Sequence, residues 1–182
     1  MKAWKHFCTI TKHRWAVRRN CFCVGLYRQG LLHDLSKYSW TEFSIGARYY
    51  QGTRSPNSAE RETIGYSAAW MHHKGRNRHH FEYWTDLDLQ THKYTFFPMP
   101  RVFLVEMVMD RIAACKIYHG KSYRDSDALE YLQRAVARDG KAIMHPQTQR
   151  ELEFLLTMLR DRGEKETFRF IRKVVLKNKP FL

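Results

Sequence analysis

The 182-residue sequence is short of acidic side chains, of cysteine and of long apolar runs. With 18 Asp and Glu against 32 Lys and Arg, the formal net charge is +14, and such a field concentrates anions around the molecule. Nucleotides, nucleic acids and other phosphorylated ligands therefore lead the list of partners, beside the plainer account of a solvated basic surface. The four cysteines, Cys8, Cys21, Cys23 and Cys115, form no CxxC pair and no regular framework, which excludes a zinc knuckle and a disulfide scaffold and fits a reducing cytoplasm. No stretch approaches the roughly 18 apolar residues of a membrane span, and MKAWKHFCTITKHRW lacks the apolar segment of a signal peptide. A soluble cytoplasmic protein without a membrane partner is expected. Repeats, low-complexity tracts and long linkers are also missing, so residues 1–182 are expected to form one domain, with a functional part over 1–120 and further helices over 121–182.

What is there is helical periodicity, and the expected fold class is all-α. A helix is expected over 2–28, stopping near Gly25 to Gly30, and another from about Leu31 that carries His33, Asp34 and Lys37. After a short break, YSWTEFSIGARYY continues the helical path. QGTRSPNS (51–58) reads as a loop, with Asn57 or Ser58 capping a helix through about Lys74. KGRN (74–77) reads as an interruption, after which RHHFEYW resumes. The prolines of HKYTFFPMP (92–100) precede a strong helix over 101–119, ended by Gly120. Helices over 125–140, 147–162 and 164–177 follow, separated by Gly140 to Pro146 and by Gly163. The last bears Arg169, Arg172, Lys173, Lys177 and Lys179 around Phe168, Ile171 and Val175, which reads as a packed helix with a solvated basic face or as a nucleic-acid contact.

Ten histidines exceed what packing asks of this length, and six fall in three places: His13, His33, and the group His72, His73, His79 and His80. In PRVFLVEMVMDRIAACKIY a helix puts Phe103, Met107, Asp110, Ala113, Ala114 and Ile117 on one stripe, apolar except for Asp110. A carboxylate facing a core must be paired. An arginine would serve, and so would a metal ion held jointly with His13, His33 and Asp34. On a helix His33, Asp34 and Lys37 point to one side, so that an imidazole and a carboxylate can grip a metal while an ammonium reaches a bound phosphate. A surface ion pair between Asp34 and Lys37 is the plainer account, and it leaves His33 unexplained. In AWMHHKGRNRHHFEYW (69–84), a turn at Gly75 would bring histidines from both sides together. Neutral imidazole is the metal-binding form, and Arg76, Asn77 and Arg78 would then face the anion bound there. A basic surface loop competes with that reading.

These pieces, in this order, resemble the HD-domain superfamily of metal-dependent phosphohydrolases, all-helical proteins with a His, then a His-Asp pair, then a later Asp. Here those are His13, His33 with Asp34, and Asp110. HDLSK is similar to the HD-small-K signature of the branch that hydrolyses cyclic dinucleotides, in which further histidines support a second metal. His73 and His79 or His80 match that role by order. The Gly-Tyr-Pro element of that branch is absent, so its substrate is not implied. Through about residue 120 the chain more closely resembles a family of small, largely uncharacterised bacterial and phage proteins with an N-terminal histidine, an HDxSK element and an HHxxxNxHHxEYW-like element, here HHKGRNRHHFEYW.

The resemblance implies an HD-domain-like helical bundle in which His13, His33, Asp34 and Asp110 bind a first metal. Asp34 would bridge to a second, held by His73 and His79 or His80. Such a set suits Fe, Mn, Co, Ni or Zn better than Ca. The implied activity is hydrolysis of a nucleotide-type phosphomonoester or phosphodiester, with Asp34 and Lys37 catalytic and with Lys37, Arg76, Asn77 and Arg78 on the substrate phosphate. The alternative is a nucleotide or nucleic-acid binding module that carries a structural metal and turns nothing over.

Overall fold

The computed structural model describes residues 1–139 and 143–182; part of the expected break from Gly140 to Pro146 lies outside the described residues. Among the described residues the chain is an all-α helical bundle with one small β-hairpin. The helices are α1 (Lys2–Val24), α2 (Tyr27–Leu32), α3 (Trp40–Arg48), α4 (Pro56–Ile64), α5 (Ala68–Arg76), α6 (Arg101–His119), α7 (Asp127–Asp139) and α8 (Pro146–Lys173). Strands β1 (Thr85–Asp88) and β2 (Lys93–Phe96) pair antiparallel between α5 and α6, with Thr85 opposite Phe96. No helix among the described residues is long and apolar enough to cross a membrane.

Helix α6 buries Leu104, Val105, Met107, Val108, Met109, Ile112 and Ala113, side chains on nearly every face, which is the mark of a helix at the centre of a bundle. Around it pack Val17 and Cys21 of α1, Leu129 and Leu132 of α7, and Leu152, Leu155, Leu156 and Leu159 of α8. Each such leucine is worth about 1.5–3 kcal/mol of burial, which holds α7 and α8 against α6. Helix α1 turns a stripe inward at three- and four-residue spacing: His6, Ile10, His13, Val17, Asn20, Cys21 and Val24. Its lower half meets apolar core; its upper half carries His6 and His13 toward α3 and the centre described below. Gly25 ends it at φ 90, where its N–H and that of Leu26 return to the carbonyls of Phe22 and Cys21.

Four expectations are corrected. His33, Asp34 and Lys37 do not share a helix: α2 stops at Leu32, His33 is extended, Asp34 takes a left-handed φ of 53, and Lys37 lies on a 3-10 turn over Leu35–Tyr38. No single helix runs from Asn57 to Lys74, because Gly65 (φ 86) closes α4 and Ser67 opens α5, its hydroxyl accepting the Trp70 N–H at 3.0 Å. Helix α5 passes through Gly75 to Arg76, so the turn falls at Asn77. A hairpin over 85–96 interrupts the expected all-helical path, its turn held by the Asp88 carboxylate, which accepts the Gln90 N–H at 2.8 Å. Gly163 does break the last long helix, at φ 71 and ψ 174.

Candidate metal centre

Five segments bring their polar side chains to one place. Helix α1 supplies His13; the bend between α2 and the 3-10 turn supplies His33 and Asp34; α5 supplies His73; the turn after it supplies His79 and His80; α6 supplies Asp110. The bend is held from α1, where Arg14 donates from Nε to the His33 carbonyl at 2.7 Å and from Nη2 to that of Leu31 at 3.1 Å. The left-handed backbone at Asp34, which aspartate tolerates better than most residues, reverses the chain so that both side chains enter the bundle. His33 and Asp34 are 2% and 1% exposed.

The ligand-type atoms form two four-residue sets that share Asp34, and His33, His79 and Glu106 make a further group of three. Those of His13, His33, Asp34 and Asp110 lie within 4.8 Å of one another, as do those of Asp34, His73, His79 and His80. Asp34 Oδ2 is 3.3 Å from His33 Nε2 and 3.7 Å from His13 Nε2, whereas Oδ1 is 3.3 Å from His73 Nε2 and 3.5 Å from His79 Nε2. Asp110 Oδ1 closes the first set, 2.9 Å from His13 Nε2 and 3.5 Å from His33 Nε2. Of the histidine pairs left open by the sequence, His73 joins the cluster and His72 does not, while both His79 and His80 do.

Two carboxylates that sequence reasoning passed over set the chemistry of these rings. Glu106 Oε1 accepts from Nδ1 of His33 at 2.9 Å and lies 3.2 Å from Nδ1 of His79; Glu42 accepts from Nδ1 of His73 at 2.8 Å and of His72 at 2.7 Å. The ring hydrogens are therefore assigned to Nδ1, and the Nε2 lone pairs of His33, His73 and His79 face the oxygens of Asp34. A lone pair facing a carboxylate across 3.3–3.5 Å is repulsive unless a cation stands between them. Consistent with this, Nε2 of His13, His33, His79 and His80 and both oxygens of Asp34 are buried and make no hydrogen bond. Lys37 Nζ meets Asp34 Oδ2 at 2.6 Å as an ion pair without hydrogen-bond alignment, and the contact of His13 with Asp110 is of the same kind. The residues present fit a metal ion.

The chain belongs to DUF5662, a family of unknown function. Its model matches residues 2–158, a span that includes every residue of the cluster. No curated protein and no solved structure matches the chain.

Within this DUF5662 chain, electrostatics prepares the cluster for a cation. Burial alone would raise the Asp34 carboxyl, but His33, Lys37 and His73 outweigh it and hold it well below the ordinary range. Burial is likewise outweighed at Asp110, by the neighbouring His13 and His33 rings. Burial lowers His13 and His80, helped by Lys37 in the first case and by His79 and His73 in the second. His33 runs the other way: burial would lower it, but Asp34, Asp110 and Glu106 raise it well above its usual value. Lys37 stays charged, because Asp34 and Asp110 outweigh its burial.

The expected phosphate-facing residues divide. Lys37, its side chain 28% exposed, stands at the edge of the first set. Asn77 does not face a ligand as expected: its amide is buried, donating to Ser36 Oγ and to the His73 carbonyl, both at 2.8 Å, and so ties the 3-10 turn to the end of α5. Arg76 and Arg78 are exposed, and Arg78 lays its guanidinium over Tyr83 and Phe103 at 5.6 and 5.9 Å. The sequence offered a signal for Glu106, four residues before Asp110 on an apolar helix. It offered none for Glu42, which lies three residues after the helix cap Ser39, where glutamate is ordinary.

Proposed function

We propose that the cluster is the metal centre of an HD-type hydrolase acting on a nucleotide-type phosphomonoester or phosphodiester. The observation that carries this reading is the set of buried imidazole and carboxylate atoms that face one another without hydrogen bonds. His13, His33, Asp34 and Asp110 would hold one divalent transition ion and Asp34, His73, His79 and His80 a second, from among Fe, Mn, Co, Ni and Zn. When bound, such an ion supplies a Lewis acid that yields hydroxide from water near neutral pH and polarises a phosphoryl oxygen.

The chain's own residues do the rest. Asp34 turns one oxygen to each set and so fixes the spacing between them. Lys37 keeps a positive charge beside Asp34 at the partly exposed edge, where it would offset charge building on a phosphate. Exposed Arg76 and Arg78 add to the field that draws an anion in, without touching it.

The test is elemental analysis of the purified protein beside Asp34→Ala and Asp110→Ala, each checked by circular dichroism. Near-stoichiometric transition metal in the wild type and its loss from both folded variants is the expected result, and a screen of nucleotide phosphoesters would follow. Wild-type protein that stays metal-free after reloading refutes the reading. A second reading, binding of nucleic acid without turnover, draws on the groove where Lys165, Arg169, Arg172 and Lys173 of α8 meet Cys23 of α1. Such binding would survive chelation and weaken steeply with salt.

A further inference from the structure

We infer that Glu106 is a positioning residue that couples the two metal positions, whereas Glu42 serves the second alone. This rests on the metal-centre reading above. The inference comes from how two buried carboxylates, each 6% exposed, divide their oxygens.

Glu106 directs one oxygen, Oε1, to a ring from each set: His33 of the first at 2.9 Å and His79 of the second at 3.2 Å. The two rings lie 4.4 Å apart at 35° to one another. Neither can swing about its Cβ without dragging the acceptor that holds the other. Ordering one ring therefore orders its neighbour, and an ion that fixes His33 also prepares His79. Asp34 links the same two sets from the opposite side. Glu42 is built differently. Its Oε2 meets His73 of the second set at 2.8 Å, and its Oε1 meets His72, which belongs to neither set, at 2.7 Å.

This difference predicts a different reach for the same deletion: losing Glu106 frees a ring of each set, losing Glu42 frees a ring of the second alone. In Glu106→Gln a carbonyl oxygen can still accept from both rings, because one oxygen already does so. In Glu42→Gln the carbonyl oxygen can keep His73 while the new NH2 turns to His72, which lies outside both sets.

The experiment is calorimetric titration of the metal-free full-length chain with Mn²⁺ and, separately, Zn²⁺, with stoichiometry checked by elemental analysis. The proteins are wild type, Glu106→Ala, Glu106→Gln, Glu42→Ala and Glu42→Gln, and the unfolding temperature of each metal-free form is recorded. Removing such a partner weakens binding by about 10–100-fold. That loss is expected at both positions in Glu106→Ala and at one position in Glu42→Ala, while Glu42→Gln stays within a few-fold of wild type. Glu106→Gln is expected to stay within a few-fold of wild type at both. Should Glu106→Ala fail to fold, Glu106→Gln decides, because binding that weakens at one position alone overturns the coupling. The coupling is also overturned if Glu106→Ala affects one position only, if Glu42→Ala affects both, or if Glu106→Gln is as weak as the alanine variant. It is also overturned if unfolding temperatures fall with metal affinities unchanged, or if the wild type binds a single ion. Wild-type protein that binds no metal fails at the earlier step and refutes the metal centre itself.

Discussion

Replacing Asp34 by asparagine separates the metal centre from the fold. Asparagine tolerates the left-handed backbone recorded there, φ 53 and ψ 27, so the bend between α2 and the 3-10 turn should survive. The side chain keeps its shape but loses the charge that both ligand sets share. In wild-type protein, metal at 100 times its dissociation constant stabilises the fold by about 2.7 kcal/mol. At about 2–4 °C per kcal/mol for a domain of this size, the unfolding temperature should rise by about 5–11 °C. If the variant binds about 100-fold more weakly, the same metal concentration only matches its dissociation constant, and the gain falls to about 0.4 kcal/mol, or about 1 °C. Differential scanning calorimetry in metal-stripped buffer, with and without Mn²⁺ or Zn²⁺, reads both numbers. Circular dichroism confirms that the metal-free variant keeps its helices. An upshift in Asp34→Asn equal to that of the wild type would refute the shared-carboxylate arrangement.

Gly46→Ala would set a Cβ 2.3 Å from His6 Nε2 and force the buried ring from its place between α1 and α3. A loss of about 1–3 kcal/mol is expected in denaturant titrations, with metal stoichiometry unchanged. Acid should weaken the metal-free protein in two stages. Burial, helped by Lys37, pushes His6 down to about 4 and lowers His13, and His80 is also lowered, so these rings bind fewer protons folded than unfolded. Their stability is lost as pH falls below about 6.5, while raised His33 contributes the opposite sign and loses its share as pH rises. Asp34 and Asp110, held low, contribute stability above the ordinary carboxylate range that is lost below about pH 4; urea midpoints across pH 3–8 check both stages. Ser67→Ala removes the cap of α5 and a partner of buried Glu60, 2.5 Å away, and should cost about 1–2 kcal/mol by the same assay.

Long helices were legible in the sequence because their apolar spacing persists over many turns. Helix α6 was read at its observed limits, and the Gly25 stop of α1 and the Gly163 break of α8 came from residues that leave the helical backbone readily. His13, His33, Asp34 and Asp110 stood out as polar groups among apolar neighbours, a conflict visible in one dimension. What periodicity misses is any element shorter than its own period of evidence. The reversal at Asp34 rests on one residue's φ, and the 85–96 hairpin on an Asp88 turn, so the first was read as helix and the second was missed. The roles of Glu42 and Glu106 belong to the tertiary structure alone. A glutamate in a helix is unremarkable until a ring from another segment arrives to donate to it, 31 residues away for His73 and 73 for His33. By itself the sequence determined which side chains could not be left alone in a core; only the packing of α1, α3, α5 and α6 decided which of them would face one another, because burial demands a partner without naming it.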